Sequence, residues 1–358
     1  MCTSAKCRRN MCVIRAGLAS MPTLMRTVTL LLICFQLVCT SLSAPSPPIV
    51  LFGDSLSDDA NGFAGNAKFV LRTNQTYPEE LYYRGRWSNG PTWIEFAASM
   101  LGVPLTDYGA GGATTGSVPA QVPPLPVGFA GLTVPTTVLS PTLPQQLNMH
   151  FLKFNNTLSP GPLYFIFIGA NDYFSIVFQK TAVTAGLVTQ YIQDAMGQLY
   201  SKGARRFVLI QVPDITGIPV FTQNSTYGYY PASAISRMGA EVTQHNANLR
   251  QIAMSFPTDH GGSSVYVYDF GGAFSKAANN ASAGFTETKK ACYVTAYHLA
   301  DDPVPDTQPI GSPNGSLCSN PDQHVFWDQF HPTRIIHRSI ANQFVNQTSS
   351  PLFGISSN

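Results

Sequence analysis

The sequence predicts an α/β protein in which helices cover both faces of a central parallel sheet, a three-layer α/β/α arrangement. Nearly continuous apolar runs such as "PPIVLFG" and "RRFVLIQVPD" are typical of strands buried on both faces. Segments with apolar residues at helical spacing separate these runs, and the chain carries no internal repeat. Ligands bind beyond the carboxyl ends of such strands, so the polar clusters that follow three of them, at Ser55, Asn171 and Asp214, indicate the site.

The predicted elements alternate along the chain. The predicted strands are "PPIVLFG" (47–53), "LYFIFIGAND" (163–172), "RRFVLIQVPD" (205–214) and "SSVYVYDF" (263–270). The predicted helices are "PTWIEFAASMLG" (91–102), "AGLVTQYIQDAMGQLYSKGA" (185–204) and "SRMGAEVTQHNANLRQIAMSF" (236–256), the first two ending at a glycine. Residues 117–144 are rich in proline and residues 279–325 are loop-rich, and long loops of this kind often shape a site.

The N-terminal 44 residues predict a secretory signal that is removed, which leaves residues 45–358 as a single domain. This segment holds five of the 21 basic residues and none of the acidic ones, and an apolar core followed by small residues ends near Ala44. The apolar core is too short for a stable membrane anchor. The remaining chain has sixteen basic and nineteen acidic residues, a net charge of −3, which argues against a nucleic-acid partner.

The cysteines and the glycosylation motifs agree with export. Five of the seven cysteines lie in the predicted signal, so Cys292 and Cys318 remain and are expected to form one disulfide. Two unpaired thiols are the alternative. Six Asn-x-Ser/Thr motifs predict surface glycans, with acceptors at Asn74, Asn155, Asn224, Asn280, Asn314 and Asn346.

A candidate nucleophile and a candidate base stand at opposite ends of the chain. Ser55 follows the first strand, and Asp328 and His331 are three residues apart in "FWDQFHPT". In a serine hydrolase the histidine takes the serine proton and the aspartate orients the imidazole. An Asp-x-x-His pair by itself is more typical of a surface ion pair. The acidic pair Asp58-Asp59 is expected to be a polar turn that opens a helix.

Two further segments make the catalytic interpretation stronger. The glycine-rich "DYGAGGATTG" (107–116) lets backbone N–H groups approach a ligand, and "GAND" (169–172) places the Asn171 amide at a strand end. Such donors form an oxyanion hole. The sequence contains no phosphate-binding glycine motif and no zinc motif, so we expect neither a metal nor another cofactor. The G-x-S-x-G motif of ordinary α/β-hydrolases is also absent.

Four segments in order resemble the sequence blocks of the GDSL (SGNH) esterases and lipases: "FGDSLSDDANG", "YGAGGATTG", "IGANDYF" and "DQFHPT". The resemblance covers about residues 48–345 and implies a flavodoxin-like three-layer fold. It also implies an acyl-serine mechanism with Ser55 as nucleophile and with the N–H groups of Ser55 and Gly111 and the side chain of Asn171 as oxyanion donors. The second block has Asp107 where the family more often has Asn, and Gly109 and Gly112 are the alternatives to Gly111.

The leading hypothesis is a secreted serine esterase for short acyl groups. It resembles the acetylesterases of carbohydrate-esterase family sixteen, whose substrates are oligosaccharide esters. A lipase, phospholipase or acyltransferase acting on lipid esters is the alternative within the family. A non-catalytic extracellular binding glycoprotein is the alternative from another class, but such a protein has no need for the complete set of catalytic residue types.

Overall fold

The central sheet contains five parallel strands in the order β2-β1-β3-β4-β5. The computed structural model describes residues 46–60, 81–118, 140–222, 230–293 and 317–347. The strands are β1 (Ile49–Gly53), β2 (Leu105–Asp107), β3 (Leu163–Phe167), β4 (Arg206–Ile210) and β5 (Ser264–Tyr268). The strands are added on one side of β1 first (β2) and then on the other (β3 to β5), so the strand order reverses between β1 and β3. Doubly wound sheets bind their ligands at such a switch point.

Helices connect the strands and cover both faces of the sheet. They are α1 (Trp93–Leu101), α2 (Leu143–Lys153), α3 (Ala170–Phe178), α4 (Ala185–Ser201), α5 (Pro219–Thr222), α6 (Ala232–Asp259), α7 (Phe270–Ala278) and α8 (Arg334–Gln347). Their ends follow from local chemistry. Thr92 and Glu95 form a capping box at the start of α1, and Gly102 ends that helix with a φ of 65°.

Two hydrophobic cores lie on opposite faces of the sheet because successive strand side chains alternate in direction. Ile49 and Leu51 of β1 pack in the core that α1, α7 and α8 cover. Val50 and Phe52 pack in the core that α2, α4 and the C-terminal half of α6 cover. The three-layer α/β/α fold with a central parallel sheet is therefore confirmed.

A small second sheet lies in the segment that the sequence indicates as loop-rich. Strands β6 (Glu287–Ala291) and β7 (His324–Phe326) pair in parallel. Immediately after β6, Cys292 forms a disulfide with Cys318, a closure of 26 residues. The N–H of Cys292 also bonds the carbonyl of Phe326, so the disulfide lies beside the end of β7.

Several predicted features lie outside the described residues, namely the signal segment 1–44, most of the proline-rich loop 117–144 and the acceptors Asn74, Asn224 and Asn314. The other three acceptors, Asn155, Asn280 and Asn346, are exposed. Within the described ranges, no helix has the length and apolar character needed to cross a membrane.

Candidate active site

Strand β1 brings Ser55 to the carboxyl edge of the sheet, between β2 and β3. The strand ends at Gly53, whose N–H donates to Gln146 Oε1 at 2.9 Å and whose carbonyl accepts from Gln146 Nε2 at 2.8 Å. Gln146 belongs to α2 and is fully buried. A side-chain amide thus joins the N–H of Ala110 in bonding Gly53 where the shorter β2 has ended, and it fixes the backbone two residues before Ser55.

Ser55, His331 and Asp328 form a continuous hydrogen-bonded chain. The Nε2 of His331 lies 2.8 Å from Ser55 Oγ, and its Nδ1 lies 2.8 Å from Asp328 Oδ2. Asp328 is inaccessible to solvent, while Ser55 is partly exposed. This is the order of contacts in a nucleophile–base–acid triad.

The turn after β7 presents Asp328 and His331 to Ser55. Asp328 Oδ1 accepts the N–H groups of Phe330 and His331, both at 2.7 Å, so the carboxylate shapes its own turn. Asp328 Oδ2 also accepts the hydroxyl of Tyr82 at 2.7 Å. These donors hold the carboxylate in one orientation and leave it facing the imidazole.

The glycine-rich loop after β2 requires a correction at Gly111. The N–H of Gly111 donates to Asp58 Oδ2 at 2.8 Å, so it is already used and is unsuited to the oxyanion hole. Gly109 is excluded for the same reason, because its N–H donates to Asp107 at 2.7 Å. The N–H of Gly112, a residue with a φ of 80°, makes no hydrogen bond within the described part of the chain.

Asn171 lies in the first turn of α3, which follows β3 through Gly169. Its Nδ2 donates to the carbonyl of Ala113 at 2.9 Å, which orients the side chain against the glycine-rich loop. The next residue, Asp172, is buried and accepts bonds from Thr115 and Ser117. The loop and the start of α3 are therefore held together beside Ser55.

Four buried carboxyl groups in the segments around Ser55 and the glycine-rich loop have raised pKa values. Burial raises the pKa of Asp54 to about 7 and the pKa values of Asp58 and Asp172 to about 6. Burial also raises the pKa of Asp107 well above its usual range. Low-dielectric surroundings disfavour the ionised carboxylate in each case. Asp54 Oδ1 accepts the N–H of Leu56, but its Oδ2 has no hydrogen-bond partner among the described residues.

Aromatic side chains lie on two sides of the His331 imidazole. The Trp87 ring centroid is 5.3 Å from that of His331. Phe330 lies on another side and contacts Phe174 and Phe178 of α3 at ring distances of 5.6 and 6.1 Å. Asn171, Phe174 and Phe178 have the i, i+3, i+7 spacing of one helix face. An aromatic surface therefore extends from the triad along α3.

Several residues that shape the site are not predicted from the sequence. Asp58 and Asp59, expected to be a polar turn, are both buried, and Asp58 bonds the glycine-rich loop. Tyr82, Trp87 and Gln146 were not assigned to the site. All three lie outside the four recognised sequence blocks, and their roles depend on contacts between distant segments.

Within the described residues, one cluster of possible metal ligands is present, formed by Cys292, Cys318 and His324. Its two sulfur atoms are joined in the disulfide and are unavailable as thiolates.

A serine–histidine–aspartate chain at the switch point of a parallel α/β sheet defines the class of protein as a serine hydrolase. The model of the GDSL-like lipase/acylhydrolase family matches residues 49–344, and the chain belongs to that family. It is a carboxylic ester hydrolase.

Curated relatives cover most of the chain. A phosphatidylcholine-sterol acyltransferase of Aeromonas hydrophila is 25% identical over 325 residues, covering 82% of this chain and 87% of its own. GDSL esterase/lipase 6 of Arabidopsis thaliana is 23% identical over 353 residues, covering 88% and 91%. Among solved structures, a member of the lipolytic G-D-S-L family from Veillonella parvula is similar with a TM-score of 0.41 and 13% identity, covering 84% of this chain and 96% of that one.

Proposed function

We propose that this protein is a secreted serine esterase that works through an acyl-serine intermediate, with Ser55 as nucleophile, His331 as general base and acid, and Asp328 as the orienting acid. The observation that carries the proposal is the contact of His331 Nε2 with Ser55 Oγ at 2.8 Å, with Nδ1 on the buried carboxylate.

The proposed reaction has two halves. His331 accepts the Ser55 proton as Oγ attacks the ester carbonyl, and Asp328 stabilises the imidazolium. The imidazolium then protonates the departing alcohol. In the second half His331 takes a proton from water, which attacks the acyl-serine. The imidazolium then returns this proton to Ser55 Oγ as the bond between Oγ and the acyl carbon breaks and the acid is released. Every proton passes through Nε2, and no redox change is involved.

The oxyanion is assigned to three donors: the N–H of Ser55, the N–H of Gly112 and the Asn171 amide. Gly112 replaces Gly111 in this proposal because the Gly111 N–H is bonded to Asp58. Asn171 is already oriented by Ala113, so little reorganisation is needed when negative charge develops. Loss of one such donor costs about 100- to 1000-fold in kcat.

The test is covalent labelling followed by kinetics. A fluorophosphonate probe is expected to label the folded protein at Ser55, and Ser55→Ala is expected to abolish both labelling and hydrolysis of nitrophenyl butyrate. The exposed serine variant Ser201→Ala is the matched control and should retain both. Labelling at another serine, or hydrolysis that survives in Ser55→Ala, would refute the proposal.

The proposed substrate is an ester of a short acyl group, such as the acetyl groups of an oligosaccharide. The second candidate is hydrolysis or transfer of a lipid acyl chain. The aromatic surface of Phe174, Phe178 and Phe330 beside His331 favours this candidate, as does the similarity to an acyltransferase.

A nitrophenyl-ester series from acetyl to palmitoyl, run beside acetylated xylo-oligosaccharides, separates the two candidates. Activity confined to long chains would exclude the acetylesterase, and added alcohol acceptors would reveal transfer as a new ester product.

Export is supported by the basic-then-apolar N-terminal segment and by the Cys292–Cys318 disulfide, a bond typical of oxidising compartments. N-terminal sequencing of protein from the culture medium of a eukaryotic host tests it. A mature chain that begins near residue 45 is expected, and retention of the intact chain inside the cell would contradict export.

A further inference from the structure

Asp58 is a buried carboxylate that takes no part in the proposed proton transfers, yet it contacts both halves of the site. It lies three residues after Ser55 and is 1% exposed. We infer that Asp58 is a positioning residue that sets the orientation of the oxyanion loop and holds Trp87 against the His331 imidazole. The inference rests on the proposed serine-esterase function.

The first contact of Asp58 is with the glycine-rich loop. Its Oδ2 accepts the N–H of Gly111 at 2.8 Å, and this bond fixes the Ala110–Gly111 peptide, one peptide before the one that carries the Gly112 N–H. Gly112 has a φ of 80°, in the region that favours glycine, and its own N–H makes no hydrogen bond within the described part of the chain. The carboxylate thereby leaves the Gly112 N–H available as the proposed oxyanion donor.

The second contact of Asp58 is with Trp87. The indole Nε1 donates to the same Oδ2 at 3.2 Å. Trp87 is 3% exposed, and a Cβ added to Gly111 would overlap its indole. The ring therefore packs directly between the glycine-rich loop and His331, whose ring centroid is 5.3 Å away. A shift of Asp58 would therefore move both the glycine-rich loop and the Trp87 ring that packs beside the His331 imidazole.

The number of donors around Asp58 distinguishes it from its neighbour Asp107. Asp58 uses both oxygens, because Oδ1 accepts the N–H of Ala60 at 2.9 Å. An asparagine has only one carbonyl oxygen, so its amide NH2 would face an N–H donor in either orientation. Among the described residues, Asp107 accepts a hydrogen bond only from the N–H of Gly109, which an asparagine carbonyl can also accept.

The experiment compares Asp58→Asn with the matched control Asp107→Asn, each normalised to the fraction of active sites that a fluorophosphonate titrates. For Asp58→Asn we expect kcat for nitrophenyl butyrate to fall about 100-fold with KM changed less than about twofold, because the misplaced donor acts in the transition state. For Asp107→Asn we expect both constants to stay within about twofold of the wild type. A merely structural role would lower the active fraction and leave the normalised kcat unchanged.

Trp87→Phe keeps an aromatic side chain at this position and removes the indole N–H together with one of its two rings, so it tests the inference even if Asp58→Asn fails to fold. We expect a fall in kcat of about tenfold, and no additional loss when it is combined with Asp58→Asn, because both changes break one contact. If either single variant keeps the wild-type kcat per active site while Ser55→Ala is inactive, the positioning role is overturned and the esterase proposal stays intact. Activity in Ser55→Ala would instead refute the esterase itself.

Discussion

The substitution Asp54→Asn is expected to raise the unfolding free energy relative to that of the wild type, and this difference is expected to grow as the pH rises. Burial raises the pKa of Asp54 to about 7 from an ordinary value near 4, and its Oδ2 has no partner among the described residues. The folded protein therefore holds this proton more tightly than the unfolded chain. The stability that the proton contributes is complete below the unfolded pKa, and it is lost as the pH rises through the folded pKa.

The magnitude follows from the size of the pKa shift. A shift of about three units corresponds to roughly 4 kcal/mol of unfolding free energy over the whole titration. Between pH 5 and 8.5 the part of this loss that is accessible is roughly 2.5 kcal/mol. An asparagine cannot ionise, and its carbonyl can keep the bond that Asp54 Oδ1 accepts from Leu56.

The assay is urea unfolding of wild type and Asp54→Asn at several pH values from 5 to 8.5, with the difference in unfolding free energy plotted against pH. The difference is expected to move in favour of Asp54→Asn by roughly 2.5 kcal/mol across that range. A pH-independent difference in unfolding free energy between the two proteins does not change the slope of this plot. The other buried carboxyl groups are present in both proteins and contribute to both sets of unfolding free energies.

Asp214→Asn is the matched control for this assay. Asp214 follows β4 as Asp54 follows β1, and its Oδ1 accepts the N–H two residues further on, but it is exposed. Its difference from wild type is expected to stay flat with pH. A flat difference for Asp54→Asn as well would refute the argument that burial of this carboxyl opposes folding at neutral pH.

Three further outcomes are expected. Tyr82→Phe removes a hydroxyl that donates to the acid of the proposed triad, and kcat should fall about tenfold with little change in KM; an unchanged kcat would contradict the role of that bond. Gly111→Ala would overlap the indole of Trp87 and should lower the unfolding free energy by about 1–3 kcal/mol, whereas unaltered thermal unfolding would show that the loop can adapt. Replacing Cys292 and Cys318 together by serine opens a 26-residue closure and should cost about 3 kcal/mol in urea unfolding, and equal midpoints would refute this.

The sequence predicts most of the sheet because buried parallel strands have a strong apolar pattern. The runs at β1, β3, β4 and β5 all form strands in one parallel sheet. Strand β2 was not predicted, because it has three residues and only Asp107 is buried. Strands β6 and β7 were missed for a similar reason, since "ETKKA" is mostly exposed and lacks an apolar run.

The candidate site is predictable where residue type alone indicates chemistry. Ser55, Asp328 and His331 come together as expected from their types and order. Gly111 was chosen wrongly among three glycines, because hydrogen bonds to Asp58 and Asp107 decide which N–H is used. Aspartates near a turn predict exposure, and only the packing of distant segments around Asp58 buries it.

The bond between Ser55 and His331 joins residues 276 positions apart in the sequence, and this separation has a consequence for biosynthesis. All five strands of the central sheet and the nucleophile lie before residue 269, whereas Asp328 and His331 come later. During synthesis, the ribosome therefore exposes the complete sheet while the base and the acid are still missing. A chain at that stage contains the proposed nucleophile but lacks its partners, so the proposed triad can form only after residue 331 has been made.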